Sequence, residues 1–261
     1  MSVAPAGLAV RTQKRYGWRP DHPDMRDYML AVEPAKALRR RVSLRSKMPP
    51  VYDQGQLGSC TANSIGAILE FNERKQAETD AATPSRLFIY YNERAMEGTI
   101  NQDSGAEIRD GIKSVAQLGA PPETDWPYVI TKFARKPPAK SYRDALKHQA
   151  LRYARVPQTE MALQNVLAAG YPISFGFTVY ESFETDVGSD GIVPMPEPDE
   201  RTLGGHAVVA IGYKHIKGQL YFECRNSWGP DWGDDGYFWL PASYVTSSSL
   251  ARDFWVIKQV E

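Results

Sequence analysis

The sequence predicts an α+β fold in two lobes, because helical patterns fill its first half and strand patterns fill its second half. The chain has 261 residues, of which 42% are hydrophobic, and this is enough to bury a sizeable core. Three segments before residue 120 carry apolar residues at helical spacing, whereas the runs after residue 150 are rich in β-branched and aromatic residues. We therefore expect a helical lobe over about residues 51–148 and a β lobe over about residues 149–261.

Three helices are predicted in the first lobe. The first runs from residue 60 to about 76, and several of its apolar residues fall near one face. The second covers residues 84–96, with leucine and aromatic residues on one side, and the third covers residues 106–118. Gly119 and Pro121 follow the third segment directly, and these two residue types commonly end helices.

The second lobe is predicted to consist of strands with one helical interruption. Strand-like runs alternate with turn residues from residue 151 onward, and only residues 160–169 carry a helical pattern. The predicted strands cover residues 151–156, 173–180, 207–213, 220–225, 236–240 and 254–257.

The first 40 residues differ in character from the rest of the chain. They are rich in proline, arginine and aspartate and show little apolar periodicity, which is typical of a segment that is ordered only when something holds it. We therefore expect residues 1–40 to form an N-terminal segment that docks onto a body formed by residues 41–261. Three consecutive arginines at residues 39–41 are a candidate processing site or a solvated basic run.

Composition and charge exclude several classes of function. Lysine plus arginine number 31 and aspartate plus glutamate number 31, so no broad electrostatic grip on nucleic acid or on an anionic membrane is expected. No apolar run approaches the ~20 residues of a membrane span. Residues 1–11 carry no hydrophobic leader, and cysteine is scarce, so we expect a cytoplasmic protein, with export by another route as the open alternative. Two cysteines, Cys60 and Cys224, stand in no metal-binding spacing, so neither a metal site nor a cofactor is expected.

The most informative motif surrounds Cys60. The run from Gln54 to Ala62 reads QGQLGSCTA, so glycines turn the backbone just before a predicted helix that begins at the cysteine. A helix N-terminus favours the thiolate, which is the form that attacks carbonyl carbons. The amide of Gln54 is a candidate donor to the oxygen that becomes negative in such a reaction. The alternatives are an ordinary buried cysteine and a solvated turn glutamine.

Two downstream residues are candidate partners of this thiol. His206 follows two glycines and opens an apolar strand-like run, so it could take the thiol proton and later return it to a leaving group. Asn226 ends another strand-like run, and its side-chain carbonyl could hold the second imidazole nitrogen without adding a charge. The alternatives are a core or surface histidine and an asparagine that only caps a strand end.

These motifs together resemble the papain-like cysteine peptidases. The resemblance rests on Asp53-Gln54-Gly55 leading to Cys60, on Gly205-His206-Ala207, and on residues 226–229 continuing into residues 232–237. The step from Cys60 to His206 (206 − 60 = 146) lies within the roughly 130–150 residues typical of this order. Residues 16–27 are similar to the N-terminal segment of a bacterial branch of the family.

The resemblance implies a fold and a role for each site residue. The fold would be papain-like, with the active-site cleft between the helical lobe and an antiparallel, barrel-like β lobe. Cys60, His206 and Asn226 would be catalytic, and Gln54 would form the oxyanion hole with the backbone N–H of Cys60. Trp228 would shield the histidine–asparagine bond, and Ser104 and Gly105 would bind substrate backbone in antiparallel fashion. The expected substrate-binding residues are Ser104, Gly105, Gly205, Trp228 and Trp232.

One departure from the family pattern is informative. Thr61 stands where the residue after the nucleophile is usually tryptophan, so we expect one wall of the cleft to be altered or more open.

The function that the resemblance implies is that of a monomeric cysteine endopeptidase, which hydrolyses peptides or proteins through an acyl-enzyme thioester. Residues 1–40 would cover the cleft as a propeptide-like segment and keep the enzyme latent as a zymogen. Two alternatives stay open, namely an acyltransferase or transpeptidase on the same site and an inactive binding module that keeps the cleft. Neither nucleic acid nor a membrane is an expected partner.

Overall fold

The structure is a computed structural model that describes residues 16–32, 38–77 and 81–261. Residues 1–15 and 33–37 of the expected N-terminal segment, and residues 78–80 after the first helix, lie outside the described residues. Within the described chain, no helix is both long and apolar enough to cross a bilayer. In chain order the elements are β1 (Trp18–Arg19), β2 (Val42–Ser43), α1 (Cys60–Ala77), α2 (Arg86–Met96), β3 (Ala106–Glu107), α3 (Ile108–Gln117), α4 (Ala139–Ala145), β4 (Ala150–Arg155), α5 (Glu160–Ala168), β5 (Ile173–Tyr180), α6 (Glu181–Thr185), β6 (Thr202–Ile216), β7 (Gln219–Arg225), β8 (Tyr237–Pro241), α7 (Ala242–Thr246) and β9 (Ala251–Val260).

The predicted α+β architecture is confirmed, with shifts at several boundaries. β6 begins at Thr202 and β9 at Ala251, earlier than predicted, because pairing with β5 recruits residues of weak strand propensity such as Gly204 and Gly205. The third helix begins at Ile108, since the two residues before it form β3. The short helices α4, α6 and α7 were not predicted, because five to seven residues hold too little periodicity to be recognised.

The β lobe is one antiparallel sheet of seven strands. Its order is β4-β9-β5-β6-β7-β8, and β2 pairs with β6 beside this path. Fully buried phenylalanines at positions 175, 177, 222 and 238 fill its interior. This packing fixes β6, the strand that carries His206.

Helix α1 joins the two lobes. Every residue from Cys60 to Asn72 is buried, because α2 and α3 contact one side of the helix and β6 and β9 contact another. The sequence predicted one apolar face, whereas the helix is enclosed and its polar side chains bond across the lobes. Ser64 Oγ lies 2.8 Å from Ser174 Oγ, and Asn72 Nδ2 donates to the Ile257 carbonyl at 3.0 Å. These contacts hold α1 against strands β5 and β9 of the sheet.

Buried ion pairs anchor the described part of the N-terminal segment. Asp27 lies 2.6 Å from an Arg109 guanidinium nitrogen and 3.0 Å from one of Arg155. Asp21 is also buried, lies 3.3 Å from Arg155, and accepts the backbone N–H of Arg109 at 3.1 Å. Asp253 accepts the backbone N–H of Asp21 at 2.8 Å and pairs with Arg155 at 2.6 Å. Residues 21–27 are therefore held by charged groups from both α3 and the sheet.

Candidate active site

Cys60 is the first residue of α1 and is completely buried. The backbone N–H groups of Ala207, Gly17 and Thr61 approach its sulfur and favour the thiolate. Burial raises the pKa of the Cys60 thiol to about 11, and the charge of Glu93 adds to this, although the three backbone donors oppose it. We expected the helix N-terminus to favour the thiolate. In this state the loss of water outweighs the helix and keeps the proton on sulfur.

His206 lies on β6, is completely buried, and is oriented by Asn226. Its Nε2 is 2.8 Å from Asn226 Oδ1. Because Oδ1 also accepts the backbone N–H of Ser227 at 2.8 Å, it is the amide oxygen, and the imidazole Nε2 is the donor. Nδ1 is then the ring nitrogen that can exchange a proton with a thiol. The N–H of Ala207, the next residue of β6, approaches the Cys60 sulfur, so sulfur and imidazole belong to one site.

Trp228 covers the bond between His206 and Asn226. Its ring stacks on the imidazole, with the centroids 4.8 Å apart and the planes 28° apart, and Trp228 is itself buried. Trp232 packs against Trp228 at 5.2 Å and against Phe183 at 5.1 Å, so it supports this cover. A contact of Trp228 or Trp232 with substrate stays a prediction.

Gln54 is completely buried, and its side chain is held at both ends. Its Oε1 accepts the Ser227 hydroxyl at 2.7 Å, and its Nε2 donates to the Leu57 carbonyl at 2.9 Å. Its backbone N–H donates to the Ser227 carbonyl at 2.9 Å, and its backbone carbonyl accepts the Tyr128 hydroxyl at 3.0 Å. The amide nitrogen therefore lies on the side of Leu57, within the loop that leads into Cys60.

The predicted substrate-binding glycines contact the N-terminal segment. A Cβ on Gly105 would lie 2.0 Å from the Gly17 oxygen, and one on Gly205 would lie 2.4 Å from the Trp18 oxygen. These two glycines, one from each lobe, therefore allow a main chain to pass between the lobes. Ser104 lies in the same loop as Gly105, and its hydroxyl bonds within that loop at 2.9 Å.

Tyr16 closes the site over the catalytic candidates. Its ring centroid lies 6.1 Å from that of His206 and 6.0 Å from that of Trp228, in edge-on contacts. Its hydroxyl donates to Glu184 on α6. Residues 16–18 thus fill the space beside the sulfur and the imidazole.

Sequence reasoning missed three contributors to the site, Tyr128, Phe183 and Glu93. Tyr128 and Phe183 lie in a loop and in a five-residue helix, where no periodic pattern marks them. The sequence did point to the position that Glu93 fills, because the small Thr61 leaves room beside Cys60. That room is not open, since the Thr61 hydroxyl donates at 2.8 Å to the fully buried Glu93 carboxyl.

The second cysteine lies outside this site. Cys224 is on β7 and is completely buried, and burial raises the pKa of its thiol well above the usual range. Both cysteines are free thiols. Among the residues that the structure describes, no group of three or more histidine, cysteine, aspartate or glutamate side chains could hold a metal ion.

Comparison with known proteins agrees with the resemblance seen in the motifs. The profile of the papain family cysteine proteases matches residues 36–254. An uncharacterized peptidase C1-like protein of Acanthamoeba polyphaga mimivirus is 44% identical over 232 residues, which are 85% of this chain and 74% of that protein. Cysteine proteinase 3 of Entamoeba histolytica is 27% identical over 223 residues, which are 84% of this chain and 68% of that protein. The crystal structure of xylellain, a cysteine protease from Xylella fastidiosa, has 41% identity and a TM-score of 0.88, and the match covers 98% of this chain and 100% of that one. The chain therefore belongs to the papain family of cysteine proteases, and it is a papain-like peptidase.

Proposed function

We propose that the protein is an endopeptidase in which Cys60 attacks the scissile carbonyl and His206 moves the proton. The observation that carries this proposal is the bond of 2.8 Å between His206 Nε2 and Asn226 Oδ1, next to a strand residue whose N–H approaches the Cys60 sulfur. An imidazole held in this way has one defined tautomer, with Nδ1 as its proton acceptor.

The chemistry then follows in two halves. His206 Nδ1 takes the proton of the Cys60 thiol, and the sulfur forms a bond to the carbonyl carbon of the substrate. His206 returns the proton to the leaving amine as the C–N bond breaks, which leaves a thioester on Cys60. Water then attacks the thioester with His206 as the base, and the thiol is regenerated.

The oxyanion formed in each half is assigned to the amide of Gln54 and the backbone N–H of Cys60. The fixed orientation of Gln54 between Ser227 and Leu57 supports this role, because a preorganised donor needs no rearrangement during the reaction. One such donor is worth on the order of 3 kcal/mol of transition-state stabilisation.

We further propose that the N-terminal segment keeps the enzyme latent. The support is that the Gly17 N–H approaches the Cys60 sulfur and Tyr16 lies against His206, so a substrate has to displace both. The segment also keeps the thiol protonated, since burial is the largest cause of the raised pKa of Cys60.

The direction of the segment explains why it need not be cut. β1 pairs with β3 in parallel, with Trp18 opposite Ala106. The family resemblance implies that a substrate pairs there in antiparallel fashion. The segment therefore crosses the site in the reverse of the expected substrate direction, and its peptide bonds are not presented to Cys60 as a substrate bond would be.

Product analysis tests the proposed reaction. The full-length protein is incubated under reducing conditions with an unfolded protein substrate, and the products are sequenced by mass spectrometry. Endopeptidase action predicts new internal termini with free carboxylates, whereas a predominance of amides after addition of a primary amine would indicate acyl transfer. Internal cleavage that persists in a folded Cys60→Ala variant would refute the proposal.

A further inference from the structure

Asp103 links the two loops that border the site. It lies two residues before Gly105, and its carboxylate accepts the backbone N–H of Gly58, with 3.0 Å to Oδ1 and 3.2 Å to Oδ2. Gly58 belongs to the loop between Gln54 and Cys60. The carboxylate therefore ties the loop that carries the nucleophile to the loop expected to bind substrate backbone.

A tyrosine extends this link to Gly105. The Tyr90 hydroxyl donates to Asp103 Oδ1 at 2.5 Å and accepts the backbone N–H of Gly105 at 3.2 Å. Burial and the bond to Asp103 raise the pKa of Tyr90 well above its usual range, so the hydroxyl keeps its proton and continues to donate. Arg94 supports the same loop, because it lies over the Tyr90 ring at 4.0 Å and donates to the Gln102 carbonyl at 3.0 Å.

The main chain that occupies the cleft passes between the two linked loops. A Cβ on Gly58 would lie 3.5 Å from the Gly17 Cα, and a Cβ on Gly105 would lie 2.0 Å from the Gly17 oxygen. The gap between the loops therefore fits one peptide backbone, and Asp103 bridges the two loops that form it.

We propose that Asp103 is a positioning residue that sets this gap, so that a substrate backbone held along Gly105 meets Cys60 at the reacting distance. The inference rests on the proposed function, because a peptide has to replace Gly17 in the cleft. Asp103 does not touch the reacting atoms and acts through Gly58 and Tyr90. Its loss leaves the Gly58 N–H without this acceptor and lets both loops move, and a displacement of about 1 Å at a reacting centre can cost about a hundredfold in rate.

The test uses the full-length protein with Gly17→Ala as background, because a Cβ on Gly17 would lie 1.8 Å from the Gly58 oxygen and weakens docking of the segment. On this background Asp103→Ala should lower kcat/KM about ten- to a hundredfold, the loss expected for hydrogen bonds to a charged group. Both loops are affected, so kcat should fall and KM should rise. Asp103→Asn keeps one acceptor for the Gly58 N–H and should restore most of the rate. Gln102→Ala changes an exposed side chain of the same loop and should leave both constants unchanged.

A second variant separates the two arms of the link. Tyr90→Phe keeps the ring beside Arg94 and removes only the bonds to Asp103 and Gly105, so KM should rise while kcat stays within about twofold. Alkylation of Cys60 by iodoacetamide gives a readout that does not depend on cleavage. Its rate should change in Asp103→Ala and stay constant in Tyr90→Phe and Gln102→Ala.

Equal kcat/KM values and equal alkylation rates for Asp103→Ala and Gln102→Ala would overturn the proposal. Tyr90→Phe provides a second test if Asp103→Ala fails to fold. If its kcat/KM falls only in proportion to its thermal stability, without a rise in KM at nearly constant kcat, the proposal is also overturned. Failure of the proposed function is distinguishable, because Gly17→Ala with Asp103 intact would then not cleave peptides, whatever the alkylation rates show.

Discussion

Cys60 and Cys224 are both completely buried, but different parts of the molecule bury them. Cys224 lies within the core of the β lobe, and its thiol is 3.8 Å from the Phe222 carbonyl of its own strand. Cys60 lies beneath Gly17, and its sulfur faces backbone donors from both lobes. Burial raises the pKa of both thiols. Because we propose that displacement of the N-terminal segment uncovers Cys60, whereas Cys224 lies within the core, what covers a cysteine is more informative than how deeply it is buried.

The largest expected effect is the difference between replacing Cys60 and replacing Cys224 by alanine. Cys60→Ala should lower the rate of peptide cleavage by at least about 10⁴-fold, because no thiolate remains to form the thioester. Cys224→Ala should retain cleavage and lose about 1–2 kcal/mol of stability through a small cavity in the core. Initial rates on a fluorogenic peptide and denaturant unfolding measure the two effects. Loss of cleavage in a folded Cys224→Ala variant would mean that the two cysteines have been assigned wrongly.

The second effect concerns His206, the proposed partner of Cys60. Asn226→Ala removes the acceptor of His206 Nε2 and should lower kcat about ten- to a hundredfold, the range for a hydrogen bond to a group that becomes charged. Asn72→Ala is a matched control, because it removes another buried amide that bonds to the Ile257 carbonyl. It should lower the melting temperature and leave kcat unchanged well below melting. Equal kcat values for the two variants would remove Asn226 from the mechanism.

The third effect concerns the cover of Cys60. Gly17→Ala places a Cβ 1.8 Å from the Gly58 oxygen, and such overpacking costs about 1–3 kcal/mol of docking. This cost weakens the docking equilibrium about five- to a hundredfold. The rates of peptide cleavage and of Cys60 alkylation should therefore rise, whereas the rate of Cys224 alkylation should not. Gly188→Ala is the control, since a Cβ there has no neighbour closer than 3.7 Å. Equal rates for the two variants would show that the segment does not limit access.

The last effect is the pH dependence with which the N-terminal segment docks over Cys60. Burial and the charge of Asp253 raise the pKa of Asp21 from 3.8 to about 7, although the N–H of Arg109 and the charge of Arg155 oppose this. The docked segment therefore keeps a proton that a free Asp21 releases near pH 3.8. Docking is strongest below that pH, weakens between about pH 4 and 7, and is constant above.

The ratio of wild-type to Gly17→Ala activity isolates this effect, because the catalytic pH profile cancels. The ratio should increase between about pH 4 and 7, by at most about tenfold per pH unit. Asp21→Asn should flatten it. A ratio that decreases with pH would mean that docking releases a proton, which contradicts this prediction.

The parts of the site that sequence predicts best are those in which residue type and local structure coincide. The sequence pattern predicts Cys60 at the start of a helix and His206 at the start of a strand; α1 does begin at Cys60, whereas β6 begins four residues before His206. Gln54 is a candidate because its glycine-rich loop precedes Cys60.

Contacts between remote segments could not be predicted in the same way. The approach of Gly17 to Gly58 and the bond from Gly58 to Asp103 depend on how the loops meet after folding, which no periodicity encodes. The pKa of Cys60 was misjudged for the same reason. The helix N-terminus is visible in the sequence, whereas the burial that outweighs it depends on how distant segments pack around the sulfur.

The central claim is that Cys60 is the reactive thiol and that His206 activates it. Full-length protein carrying Gly17→Ala is treated with an epoxide electrophile near neutral pH, and peptide mapping by mass spectrometry locates the label. We expect label on Cys60 and none on Cys224, with labelling strongly slowed by His206→Ala. Label on Cys224, or a rate at Cys60 that does not change when His206 is removed, would contradict it.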